Sequence, residues 1–104
     1  MKIEQRNANS PNFQGFIRFS RIIRQVGGKT IPETDFVLNT DTIRCIRPIK
    51  QTKNPLGAYI ETSGGDVIKI NEKSEKGTEN KFDNIVSHII QAHKEGYTFL
   101  KIFN

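Results

Sequence analysis

Along residues 80–95, NKFDNIVSHIIQAHKE, apolar side chains return every three or four positions: Phe82, Ile85, Val86, Ile89 and Ile90, with His93 next in the series. That period matches one face of an α-helix and predicts a single amphipathic helix over Asn80–Glu95. Asn80 suits the N-cap, and Asp83 three residues on completes a capping-box arrangement. Lys94 falls in the last turn, Gly96 fits the left-handed position after it, and Tyr97 can pack back on that turn.

Upstream the pattern shortens to strand-like runs. FIRFSRIIRQV at 16–26 accepts either period: Ile17, Phe19 and Ile23 share a strand face, and Phe16, Phe19, Ile23 and Val26 share a helix face. We read a strand, because Phe and Ile dominate and no N-cap residue precedes the run; Gly27-Gly28 stops it. DFVLN at 35–39 predicts a short strand entering the turn NTDT. IRCIRPI at 43–49 predicts an edge strand, since Pro48 cannot donate to a ladder. After the loop QTKNPLG, AYIET at 58–62 and DVIKINE at 66–72 flank Gly64-Gly65 and predict a hairpin. Its second arm has a dry face, Ile68 and Ile70, and a wet face, Val67, Lys69 and Asn71.

What remains is polar or terminal. KSEKGTEN at 73–80 reads as a mobile polar connector, residues 1–14 as a flexible lead-in, and YTFLKIF at 97–103 as an apolar tail too large to leave free. The chain is thus expected to be one α+β domain over 1–104, a small antiparallel sheet of about four to five strands packed by one C-terminal amphipathic helix.

Composition changes this picture in one respect. Apolar residues make up only 35% of the chain, so the core is thin and a partner could complete it. Cys45 is the single cysteine, which excludes an internal disulfide and fits a cytoplasmic setting. No apolar run reaches membrane-spanning length, and MKIEQRNANS lacks the hydrophobic stretch of an export signal.

The net charge of +5 is unevenly spread. Residues 1–30 hold Lys2, Arg6, Arg18, Arg21, Arg24 and Lys29 against Glu4 alone, whereas residues 57–80 are net acidic. A basic front and an acidic middle suit docking between copies, or a basic face for a polyanion.

Candidate chemistry is sparse. A helical wheel puts His93 within the apolar face and His88 in solvent, and five residues apart they cannot share a metal ion. Cys45 reads as a small core filler, the Asp residues as turn caps, and neither Gly-Gly pair has the lysine of a phosphate-gripping loop. No catalytic, cofactor-binding or metal-ligating residue is assigned, no cofactor is expected, and a small-molecule ligand is disfavoured. The remaining candidate set is basic: Arg18, Arg21, Arg24, Lys29, Arg44, Arg47, Lys50 and Lys53 could meet phosphates on an open sheet face, with Phe16 or Tyr59 stacking on bases.

DFVLNTDTIRCI, AYIETSGGDVIKINE and FDNIVSHIIQ together resemble the small flagellar FlbD/SwrD-like family. Leu38-Asn39, Ile43, Ile46, Thr62, Gly65, Val67 and Glu72 occupy comparable places, and FIRFSRI could stand for its first strand. The resemblance implies a sheet followed by a C-terminal helix and a motility-linked role without a catalytic site. The polar N-terminus, GGKTIPET, the 73–80 connector and the tail after Gly96 depart from it. The expected function is therefore a non-enzymatic accessory or regulatory module of a bacterium or phage. It would act through protein contacts as a homo-oligomer or on a protein partner, without a membrane. The alternative is a DNA- or RNA-binding protein using the basic sheet residues.

Overall fold

A computed structural model describes residues 15–96 and the backbone of 98–99. The lead-in at 1–14, Tyr97 and the remainder of the apolar tail lie outside the described residues, as do the expectations placed on them. Five strands, β1 (Phe16–Val26), β2 (Lys29–Asn39), β3 (Ile43–Arg47), β4 (Ala58–Thr62) and β5 (Val67–Ile70), form an antiparallel sheet in the order β2-β1-β5-β4-β3. The helix α1 (Phe82–Glu95) packs on it, and a two-residue strand β6 (Thr98–Phe99) runs parallel to the start of β1. This is a small α+β fold of the expected kind.

The 16–26 run is a strand and ends at Gly27-Gly28 as expected, but the chain does not leave the sheet there. Those two glycines, at φ 54° and 82°, make a two-residue turn that sends the chain straight back into β2, pairing Val26 with Lys29 and Phe16 with Asn39. The strand expected over 35–39 thus begins six residues earlier, at Lys29. On this edge of the sheet Pro32 pairs opposite Ile23 without interrupting the ladder.

Burial along β1 changes parity midway. Ile17 and Phe19 are buried from the first half, and Ile22, not the expected Ile23, from the second. The register steps over Ser20 and Asp35, where Asp35 has φ 54°, so the pleat loses its alternation there. Ile17, Phe19, Ile22, Leu38, Ile60, Ile68, Ile70, Ile85 and Ile89 with Ala58 and Ala92 form the core, and Phe36, Ile43, Ile46 and Phe82 close its margin.

Both ends of the helix carry information. Asn80 is not the N-cap: Lys81 is, without a side-chain cap, and α1 begins at Phe82. Asn80 is instead a buried tie. Its side chain donates to the Asn71 carbonyl at 2.9 Å, its N–H to Glu72 at 2.9 Å, and its carbonyl accepts from Gly57 at 2.6 Å. These bonds tie the start of the helix to the end of β5 and to the 48–57 loop. At the other end Gly96 holds the expected left-handed conformation.

The helix presents Ile85, Ile89 and Ala92 to the sheet. That face is turned by about 60° from the centre of the apolar stripe at 100° per residue. Ala92 explains the rotation: its backbone lies against Gly15, where a β-carbon would overlap the Ala92 carbonyl. Backbone meets backbone here through the smallest side chains, which a count of large apolar residues ignores. Ile90 is left 53% exposed in consequence.

The 73–80 connector is a compact turn built on Ser74. Its hydroxyl oxygen accepts from the N–H groups of Lys76 and Thr78, at 3.2 and 3.0 Å, and the backbones of Lys73 and Glu79 pair as an isolated antiparallel β-bridge.

Candidate functional site

The eight predicted basic residues fall into three groups. The arginines of β1 are each engaged by carboxylates. Arg18 grips Asp35 through Nε and Nη2, the latter at 2.6 Å; Arg21 meets Glu75 at 2.7 Å; Arg24 meets Glu33 at 2.7 Å and Asp66 at 3.2 Å. Strict alternation would put Arg18 and Arg24 on one face and Arg21 on the other, and the structure divides them differently. Arg24 sits opposite the buried Ile68, on the helix side of the sheet, whereas Arg18 and Arg21 point away from the core. The parity change at Ser20 and Asp35 is the reason. Lys29 stands exposed beside the hairpin tip on β2, at the far edge from β3.

Arg44, Arg47, Lys50 and Lys53 form the third group, along β3 and the loop after it, all exposed and without an ion pair among the described residues. Arg44 occupies the register shift between Ile43 and Cys45.

The face away from the helix can be read from the register. Directly opposed residues on antiparallel strands point the same way. Arg47 pairs with Tyr59, Tyr59 with Lys69, Lys69 with Ile23 and Ile23 with Pro32, one row crossing all five strands. The next row is Cys45, Glu61, Val67, Gln25 and Thr30. Cys45 is therefore half-buried on the open face and not a core filler. Lys69 Nζ lies 6.0 Å from the centroid of the Tyr59 ring. Sequence reasoning found the wet face of β5 but not the alignment of Lys69 with Tyr59 and Arg47, which only the strand register supplies.

A concavity lies beside α1. Thr40, Asp41, Ile43, Ile89, Ile90, His93 and Lys94 line a groove of about 320 Å³. Both histidines depart from the wheel. His93 has half its side chain exposed, with Nδ1 3.1 Å from Thr40 Oγ1 and 3.8 Å from Asp41 Oδ1, whereas His88 is half-buried. The same rotation that exposes Ile90 moves both. No group of three or more His, Cys, Asp or Glu side chains converges among the described residues, and no described helix is long and apolar enough to cross a membrane.

One electrostatic consequence is testable by pH. Hydrogen bonds from Arg18 hold the Asp35 carboxyl below its ordinary range; desolvation opposes them and the guanidinium charge adds to them. A carboxyl depressed on folding stabilises the fold above its unfolded pKa and loses that contribution as pH falls through its folded value. NMR titration should show Asp35 ionising below the ordinary aspartate range, with Arg18→Gln returning it to that range. The pair is solvent-exposed, so Asp35→Asn, which also tolerates the positive φ, is expected to leave stability at pH 7 nearly unchanged.

Comparison with protein-family models, curated proteins and solved structures found no match to the chain. The flagellar resemblance thus rests on residue pattern alone.

Proposed function

We propose that the protein is a small non-enzymatic accessory module that acts through protein contacts and pairs with a second copy of itself along the flank of α1. The observation that carries this reading is Ile90, 53% exposed within an otherwise apolar helix stripe. Beside it Ile43 and Ile89 floor the groove, and Asp41 and Lys94 stand on its rim with opposite charge. A twofold axis beside the groove would set Ile90 against its own copy and each Asp41 against the partner's Lys94, as a self-complementary interface requires.

The sheet edges favour this flank over strand pairing. β2 carries Pro32 and the left-handed Asp35, and β3 is five residues long, bulged, and followed by Pro48. Such features blunt an edge against a neighbouring strand.

Size-exclusion chromatography with light scattering across a concentration series is the test. The expected mass at high concentration is twice the 11.9 kDa of one chain, falling to one chain for Ile90→Glu. Asp41→Lys should weaken pairing several-fold, and adding Lys94→Asp should restore it. A mass of 11.9 kDa at every concentration would overturn the proposal.

A further inference from the structure

The geometry points to a separate binding surface on the open face of the sheet, a seat for single-stranded nucleic acid centred on Tyr59. It does not depend on self-association, because it uses the opposite side of the sheet from α1. The argument begins with the cross-strand row. Strands lie about 5 Å apart, so Arg47 and Lys69, paired on either side of Tyr59, place two cations across roughly 10 Å with an aromatic ring between them. That is the order of groups a nucleotide chain needs, phosphate contacts flanking a surface on which a base can lie.

The cationic surface continues past the row. Lys50, Lys69, Asn71 and Lys73 share the wall of a shallow groove of about 480 Å³. Arg47 and Lys69 thus flank Tyr59, and Lys50 and Lys73 extend the cationic surface through the groove that Lys69 shares, with Glu61 one row along and Glu72 in the groove wall as nearby carboxylates. None of these four cations has an ion pair among the described residues, in contrast to the arginines of β1. At 6.0 Å the Lys69 ammonium is at the outer limit of a cation–π contact, so it can swing to a phosphate when a base takes the ring.

Charge complementarity selects a polyanion, and the ring selects one with unstacked bases. A duplex keeps its bases stacked and offers Tyr59 nothing to lie on. Glu61 and Asn71, which face the same side, can hydrogen-bond base edges but would repel or ignore a continuous wall of phosphates. The set also differs from the basic residues picked by sequence, sharing only Arg47 and Lys50 with them.

Fluorescence anisotropy with labelled 12-nucleotide oligo-uridylate and oligo-thymidylate, at low and physiological salt, tests the proposal. Binding should weaken with salt along a logarithmic slope of about −2 to −3, as for three or four phosphates on a single strand. Tyr59→Ala should weaken it about tenfold and Tyr59→Phe leave it within about twofold, by loss or retention of stacking. Arg47→Gln and Lys69→Gln should each lower the slope by about 0.7, with Arg18→Gln as the unchanged control. Thermal melts confirm that each variant is folded; if Tyr59→Ala is not, the slopes of the two cation variants decide. Binding by the monomeric Ile90→Glu variant keeps this result separate from the fate of the dimer. Absence of salt-dependent binding overturns the proposal. So does equal affinity for a 12-base-pair duplex, or for an acidic peptide of the same charge.

Discussion

Gly15→Ala should destabilise the protein by about 4 kcal/mol, from overlap of the new methyl with a rigid neighbour and from strained backbone together. Gly15 is buried immediately before β1, at φ 152°, a backbone conformation L-residues rarely adopt. A β-carbon there would lie 2.7 Å from the Ala92 carbonyl carbon and nearer still to its oxygen. Neither obstacle is a side chain that can rotate away; it is the backbone of the last turns of α1. The Gly15 carbonyl also accepts from the Thr40 N–H at 3.0 Å and its hydroxyl at 3.2 Å, so a displaced Gly15 pulls on the turn that leads into β3. Urea denaturation gives the comparison. Gly65→Ala is the control, since it shares a positive φ of 92° but meets nothing within 4 Å, and it should cost only about 1 kcal/mol. Equal losses for the two variants would mean that the contact with Ala92 contributes nothing.

The same contact explains why the helix was legible and its face was not. Periodicity located α1 to within two residues and Gly96 marked its end, because both signals are local. Which part of a wide apolar stripe meets the sheet depends on where the backbones can approach, and here Gly15 and Ala92 decide that. His93, Ile90 and His88 were misplaced together by one rotation. The strands divide in the same way. β4 and β5 follow from alternation around Gly64-Gly65, while β2 runs upstream of 35–39 through Pro32, which only an edge strand tolerates. For the candidate sites the limit was register. Tyr59, Lys69 and Arg47 were each visible as strand residues, yet nothing local says that they stand side by side. Conversely Arg18, Arg21 and Arg24 looked like a basic set until their partners came from 9 to 54 residues away: Asp35, Glu75, Glu33 and Asp66.

Phe19→Ala is expected to be comparably damaging, about 3–5 kcal/mol, through lost burial and the cavity left behind. Phe19 is fully buried and heads the large side chains of the core. It lies directly opposite Phe36 at the last paired position before the ladder steps over Ser20 and Asp35. Beyond that step a different parity faces inward, so Phe19 and Ile22 meet the same core from two offset stretches of one strand. A smaller residue at 19 cannot be compensated by sliding β1, because Ile17 and Ile22 are each fixed by burial on either side. Phe19→Leu keeps much of the volume and should cost about 1–2 kcal/mol, and Phe36→Ala, at the core margin, less than Phe19→Ala. Chemical denaturation should show these losses as a lower midpoint at unchanged slope. A typical domain is stable by about 5–15 kcal/mol, so Phe19→Ala removes a large share of that margin. A midpoint for Phe19→Ala equal to that of Phe19→Leu would show that the site collapses around the smaller side chain, and that the two halves of β1 are not rigidly coupled through the core.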